Sequence, residues 1–156
     1  TQKKYKKEIK VYFPEASAVE KLLETKGPNS FYESVENRKD CCFIRKVAPL
    51  IKALKGNDIL ITGLRAEQSE NRNNLDLFEY DAHFDIIKFN PLLRWTLEEV
   101  QKYIDDNNVP QNALHKKGFV SIGCAPCTRA IAEGEDIRAG RWWWESSHKE
   151  CGLHQK

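Results

Sequence analysis

Two pairs of cysteines carry the clearest chemistry in this chain: Cys124-Ala125-Pro126-Cys127 and the adjacent Cys41-Cys42. Thiolates three residues apart can both bind one metal centre. Together the pairs supply four thiolates, the number that tetrathiolate zinc and iron-sulfur centres take. Side chains of neighbouring residues diverge on a regular helix or strand, so Cys41 and Cys42 reach one centre only if the backbone turns there or the centre is large. That favours a cluster over a single ion. The alternatives are a disulfide and buried, unliganded cysteines. A charged chain with no signal segment argues against the first. The remaining cysteine, Cys151, stands near His148, Lys149 and His154, whose positive charge favours the thiolate. Taken alone, such a cysteine is more often incidental than catalytic.

Cations gather near the same motifs. Arg45 and Lys46 follow the cysteine pair. The stretch Arg65 to Arg72 is rich in hydrogen-bond donors and follows the apolar run Asp58–Leu64. Loops beyond the carboxyl ends of strands bind ligands in open α/β sheets, whereas composition alone fits a solvated loop. Near the end, Arg138 and Arg141 precede Trp142-Trp143-Trp144. Three consecutive indoles cannot all face one core, so at least one meets a partner, a ligand or another subunit, unless the run is a terminal aromatic anchor.

The elements that must position these residues read as alternating strands and helices. Ile9–Phe13 is β-branched and aromatic and is stopped by Pro14, which predicts a short strand. Ser17 with Glu20 forms a capping box for a helix that Gly27-Pro28 ends. Residues 29–40 read as a loop or a broken helix. Val47, Leu50, Ile51 and Leu54 mark a buried helical face, with Pro49 placing the regular start near Ala48 and Gly56 at the C-cap. Asp58–Leu64 suits a parallel strand covered on both faces. Phe84–Phe89 predicts another strand. Thr96 and Glu99 box the start of a helix to about Asp106, and Gly118 and Gly123 are turn points before the second cysteine pair.

The chain has 156 residues, 40% hydrophobic and 31% charged, enough for one core and a single globular unit. A formal charge of +2 demands neither nucleic acid nor a membrane surface. No apolar run approaches the roughly 20 residues of a membrane span. Lysines crowd the start, and the thiols suit a reducing cytoplasm. The absence of methionine and the early strand-like run lead to the expectation that the natural protein begins upstream.

Five segments in this order resemble the assimilatory sulfonucleotide reductases, in particular the adenylylsulfate reductases that carry an iron-sulfur cluster. They are Cys41–Val47, Thr62–Arg65 with Gln68-Ser69, Gly123–Thr128, Gly140–Glu145 and Glu150–His154. The resemblance covers nearly the whole chain. It implies a 4Fe-4S cluster on Cys41, Cys42, Cys124 and Cys127, and Cys151 as the nucleophile. In that family the thiolate attacks the sulfur of adenosine 5'-phosphosulfate, AMP leaves, and thioredoxin or glutaredoxin releases sulfite from the S-sulfocysteine. The protein must screen the repulsion between a thiolate and a sulfonate. The residues available to bind the substrate and do so are Arg45, Lys46, Arg65, Arg72, Arg138, Arg141, Trp142 and His154.

The same resemblance implies an α/β fold of the adenine nucleotide alpha hydrolase type: a mainly parallel sheet with helices on both faces, its N-terminal strands and phosphate loop missing from this chain. Residues 1–156 would form one reductase domain, and 138–156 a C-terminal segment that carries Cys151 over the substrate. The sequence stops two residues after His154, which leads to the expectation of a free-standing reductase without an appended thioredoxin-like domain, served by a separate thiol donor. The cluster cysteines favour adenylylsulfate over its 3'-phosphorylated relative, PAPS, which is the alternative substrate. The rival from another class is a zinc-stabilised module binding nucleic acid or protein. The sequence does not fix an oligomeric state, and the tryptophan run is compatible with a homo-oligomer.

Overall fold

The computed structural model describes residues 1–69 and 72–146, which divide into two compact units. One contains Thr1–Lys55 with the described residues from Trp142 onward, and the other is Gly56–Arg141.

The first unit is helical. A short α1 (Gln2–Tyr5) precedes residues 9–13, which form no strand; Ile9, Val11, Tyr12 and Phe13 are exposed. Their propensity is for a pleated, half-buried surface, and among the described residues no strand pairs with them. Helix α2 (Ala16–Lys26) begins earlier than its predicted cap: Glu15 takes the N-cap position with no side-chain bond, and Ser17 lies inside the helix. Gly27 ends it as expected, at φ 81°, donating to the Leu23 carbonyl.

Residues 29–40, read as irregular, resolve into a 3-10 turn (Ser30–Tyr32) and helix α3 (Val35–Cys42). Ser34 caps α3 by accepting the Asn37 N–H at 3.1 Å. Hydrophobic periodicity cannot reveal this helix, because its one buried residue is Arg38. A π-turn (Phe43–Val47) then leads into α4 (Ala48–Leu54). Pro49 has no N–H for the Arg45 carbonyl, and the wider turn upstream accommodates that loss. The regular helix does start at Ala48.

The second unit holds the sheet, in the order β1-β3-β2, where β1 is Ile59–Ile61, β2 is Phe78–Asp81 and β3 is Ile86–Phe89. β1 runs parallel to β3, as an α/β reading requires. β2, which the sequence did not announce, pairs antiparallel with β3, so the described sheet is mixed. Asp81 makes the hairpin turn by accepting the N–H groups of His83 and Phe84.

Coverage of both sheet faces does not hold among the described residues. Ile59, Ile61, Phe78, Tyr80 and Ile87 are exposed, and the strand register puts them on one face. A tight hairpin brings β2 to β3 without the crossover helix that would cover that face. The other face carries buried Ile86 and the Lys88–Asp81 ion pair. Burial acts to raise the Asp81 carboxyl, but Lys88 and the turn N–H groups hold it below its usual range.

Fully buried Asn90 fixes the carboxyl ends of the parallel strands. It accepts from the Thr62 hydroxyl at 2.5 Å and donates to the Asp76 carbonyl at 2.8 Å and to Glu79 at 3.2 Å. Helix α5 (Leu97–Asp106) has the predicted capping box of Thr96 and Glu99. A 3-10 turn (Ala113–Lys117) closes at Gly118, φ 82°, and leads to the second cysteine pair.

Candidate functional site

Cys41 and Cys42 occupy the last turn of α3, neither in a disulfide and both half-buried. The backbone does not turn at the pair, since Cys42 keeps helical angles and the irregular π-turn starts at Phe43. The two side chains therefore diverge around the helix. Of the cations predicted beside them, Arg45 is exposed and Lys46 half-buried, both in the π-turn.

The first unit also secures the tryptophan run. Trp142 is 1% exposed and takes φ 42°, a conformation that strains a bulky side chain. Trp143 is exposed, while Trp144 is half-buried with its ring 4.4 Å from that of Tyr32. The run divides between core and surface, as three consecutive indoles must.

Cys124 and Cys127 are presented differently, by a 3-10 turn (Ala125–Cys127) in a loop. Cys124 is exposed and Cys127 buried, and neither is in a disulfide. The turn closes through the Cys127 N–H on the Cys124 carbonyl at 2.9 Å. The Thr128 hydroxyl donates to that same carbonyl at 2.9 Å and accepts the Gly123 N–H at 3.0 Å. Arg141 is buried across this loop, donating to the Ile122 carbonyl at 3.2 Å, and its guanidinium fills the space a Cβ on Gly123 would need. Thr128 and Arg141 form a β-bridge. Arg129 donates its N–H to the Gly140 carbonyl at 2.9 Å, and a Cβ at Gly140 would strike the Arg129 carbonyl. Arg129 also grips Glu135 with both terminal nitrogens, at 2.9 and 2.8 Å. That guanidinium, with the Ala132 N–H, holds the Glu135 carboxyl down at about 2.

The donor-rich stretch after β1 is no solvated loop at its arginines, because Arg65 and Arg72 are both buried. Arg65 reaches Glu67 at 2.7 Å and the Trp95 carbonyl at 3.4 Å, while Glu67 also accepts the Leu97 N–H at the start of α5. Gln68 accepts from the Arg65 N–H and from the Arg72 guanidinium, so one side chain ties both arginines. Arg138 is half-buried, in a turn where its N–H bonds Asp136. Cys151 and His154 lie outside the described residues.

The donor chemistry suits a thiolate-bound metal centre, with two cysteines outside any disulfide in each of two half-sites. Among the described residues no three His, Cys, Asp or Glu side chains are gathered into a metal site. The structure adds two groups that sequence reasoning did not single out. Thr128 closes the motif already quoted around Cys124. Arg38 precedes Cys41 and Cys42 by three and four residues, a helical spacing that would have flagged it had α3 been recognised.

Comparisons with known proteins follow these motifs. Residues 1–130 match the family model described as the phosphoadenosine phosphosulfate reductase domain. An adenosine 5'-phosphosulfate reductase of Rhizobium tropici is 50% identical over 155 residues, covering 99% of this chain and 86% of that protein. One from Neisseria meningitidis serogroup B is 51% identical over 148 residues, with 94% of this chain but 60% of that protein covered. A relative from Agrobacterium fabrum with the same name is 48% identical and is also covered over 60% of its length. The crystal structure of phosphoadenylyl-sulfate (PAPS) reductase from Candida auris, a phosphate complex, superposes with a TM-score of 0.53 at 35% identity, over 67% of this chain and 48% of that one. The chain thus spans less than two thirds of most of these relatives.

Proposed function

The chain belongs to the phosphoadenosine phosphosulfate reductase domain family, and from that premise we propose that it reduces adenosine 5'-phosphosulfate to sulfite and AMP. The observation that carries this reading is two cysteine pairs, none of them in a disulfide, in a chain about 50% identical to proteins named for that activity. The solved relative named for the 3'-phosphorylated substrate is more distant, at 35% identity. Because the family match runs through residues 1–130, both compact units belong to one reductase domain in this reading.

The Cys151 thiolate attacks the sulfonate sulfur. An S–S bond forms, the S–O bond to the phosphate breaks, and AMP leaves with the oxygen and the electron pair. One thiolate of a dithiol donor, thioredoxin or glutaredoxin, then attacks the Cys151 sulfur and expels sulfite. The second thiol of the donor resolves the mixed disulfide, so the two electrons that reduce sulfur come from the donor. Arg45, Lys46, Arg138 and His154 are the cations assigned to the nucleotide and the sulfonate. Arg65, Arg72 and Arg141 are held by internal hydrogen bonds, so their contribution is a fixed positive field. Trp142, buried against Arg38, contributes packing.

Cys41, Cys42, Cys124 and Cys127 would hold a 4Fe-4S cluster, which supplies local order and charge to the site and does not pass electrons to the substrate. The absence of any helix long and apolar enough to span a membrane, among the described residues, fits the cytoplasmic setting that such thiols require. Self-association through exposed Trp143 remains part of the proposal.

The test is to incubate the protein with adenylylsulfate and no thiol donor, then weigh it. One added SO3 group should map to the peptide holding Cys151 and disappear when thioredoxin is supplied. Cys151→Ser should keep its iron and lose sulfite release. An adduct on another residue, or full turnover by Cys151→Ser, sinks the mechanism. A colourless protein with one zinc, in place of about four iron and four sulfide, returns the chain to the zinc-module reading.

A further inference from the structure

Cys41 and Cys42 follow Arg38 by three and four residues on α3, so each is its helical neighbour, one on either flank. Helical side chains lean towards the N-terminus, which carries the Cys42 sulfur down towards the turn of Arg38. Arg38 is 1% exposed. Its Nε donates to one carboxylate oxygen of Glu145 at 2.6 Å and its Nη2 to the other at 3.1 Å. The Trp142 ring lies against the guanidinium, with 4.7 Å between the guanidinium carbon and the ring centroid. Its third nitrogen, Nη1, is buried and has no hydrogen-bond partner among the described residues.

A buried charged donor is costly unless something accepts from it, so the unused nitrogen calls for an acceptor. The helix presents one, because Cys42 lies one turn along α3 from Arg38 on the side where that nitrogen is buried. The same arginine accounts for the strain at Trp142. A tryptophan at φ 42° persists only where its surroundings over-determine it. Arg38 faces the ring and also grips Glu145, whose N–H closes the turn on the Trp142 carbonyl at 2.9 Å.

We propose that Arg38 is a positioning residue for the first thiol pair: clamped by Glu145 and the Trp142 ring, it donates its remaining N–H to the Cys42 sulfur. The tryptophan turn and the Cys41–Cys42 half-site are thereby set as one piece. The donor matters most when Cys42 is a metal-bound thiolate, because a charge-assisted hydrogen bond spreads the sulfur's negative charge and resists its displacement. This half of the inference rests on reading Cys41 and Cys42 as iron ligands. The hold on the tryptophan turn does not.

The test compares the wild type with two variants. Replacing Arg38 alone by a neutral residue would strand a buried carboxylate, so the first variant combines Arg38→Gln with Glu145→Gln and leaves a neutral, hydrogen-bonding pair. The second, Arg38→Lys, keeps a charge for Glu145 but has one nitrogen in place of the fork. Iron loss to a ferrous chelator is followed anaerobically, and the near-ultraviolet circular dichroism of the tryptophans is recorded on iron-free protein. Both variants should take up iron and then lose it about tenfold faster than the wild type or more, the scale on which outer-shell partners act. Their tryptophan band should weaken while the far-ultraviolet spectrum stays. Iron loss at the wild-type rate in a folded variant overturns the proposal. If the wild type itself takes up no iron, the cluster reading has failed instead. The clamp is then judged on the tryptophan band, and an unchanged band in either folded variant overturns it.

Discussion

The two cysteine pairs present the same kind of side chain from opposite kinds of support. Cys41 and Cys42 ride a helix whose inner side is held by one buried ion pair among the described residues, Arg38 with Glu145. Cys124 and Cys127 ride a loop held by many small bonds: the Thr128 hydroxyl, the backbone between Arg129 and Gly140, and Arg141 lying over Gly123. A helix sets the spacing of its own side chains and needs few anchors: besides the buried pair, α3 has exposed bonds from Lys26 to Asn37 and Asp40. A loop has no such intrinsic geometry, so its neighbours must specify it bond by bond. One support should therefore fail abruptly and the other by degrees.

The largest effect should come from breaking the buried anchor. Arg38→Ala leaves the Glu145 carboxylate buried with a side-chain exposure of 4% and should destabilise the protein by about 3–5 kcal/mol, as removal of one partner of a buried pair does. Urea unfolding followed by tryptophan fluorescence measures this, and a loss under about 1 kcal/mol would mean that the pair is not an anchor.

The loop should respond more mildly. Thr128→Val removes the hydroxyl shared by the Gly123 N–H and the Cys124 carbonyl, which should cost about 1–2 kcal/mol. Amide exchange at Gly123 should quicken with little change in α3. Equal quickening in α3 would erase the distinction between the two supports.

The smallest effect is electrostatic and depends on pH. The Glu135 carboxyl titrates at about 2 when folded against an ordinary 4.5, chiefly because Arg129 grips it. A depressed folded value means that the stabilisation is fully present above the ordinary value. It fades as pH falls from there through about 2. Following the Glu135 carboxyl carbon by NMR should give a midpoint well below 4.5, moving up in high salt as the exposed pair is screened. A midpoint at the ordinary value, independent of salt, would show that the grip on this loop is absent in solution.

Much of the local structure was legible before any coordinates. The capping box at Thr96 and Glu99, the stop at Gly27 and the start of α4 at Ala48 are decided by neighbours in the chain, and each appears as read. What misled were segments whose state depends on distant partners. Ile9–Phe13 has the side chains of a strand but no described strand beside it. Helix α3 has almost no apolar signature because its buried residue is charged. Arg65 and Arg72, polar enough to read as solvated, are buried because Gln68 and Glu67 accept from them.

The sequence by itself determined which atoms can do chemistry: thiols at Cys41, Cys42, Cys124, Cys127 and Cys151, in an order and with flanking residues specific enough to point to one enzyme family. Residue type and short-range spacing are covalent properties, and no fold is needed to read them. Only the tertiary structure decided what each charged group is for. Arg141, a candidate for the substrate, packs over Gly123, while Arg38, unremarked in the sequence, meets a carboxylate 107 residues away. The worth of a charge depends on its burial and on its partner, and both are fixed by contacts between residues that the chain itself keeps far apart.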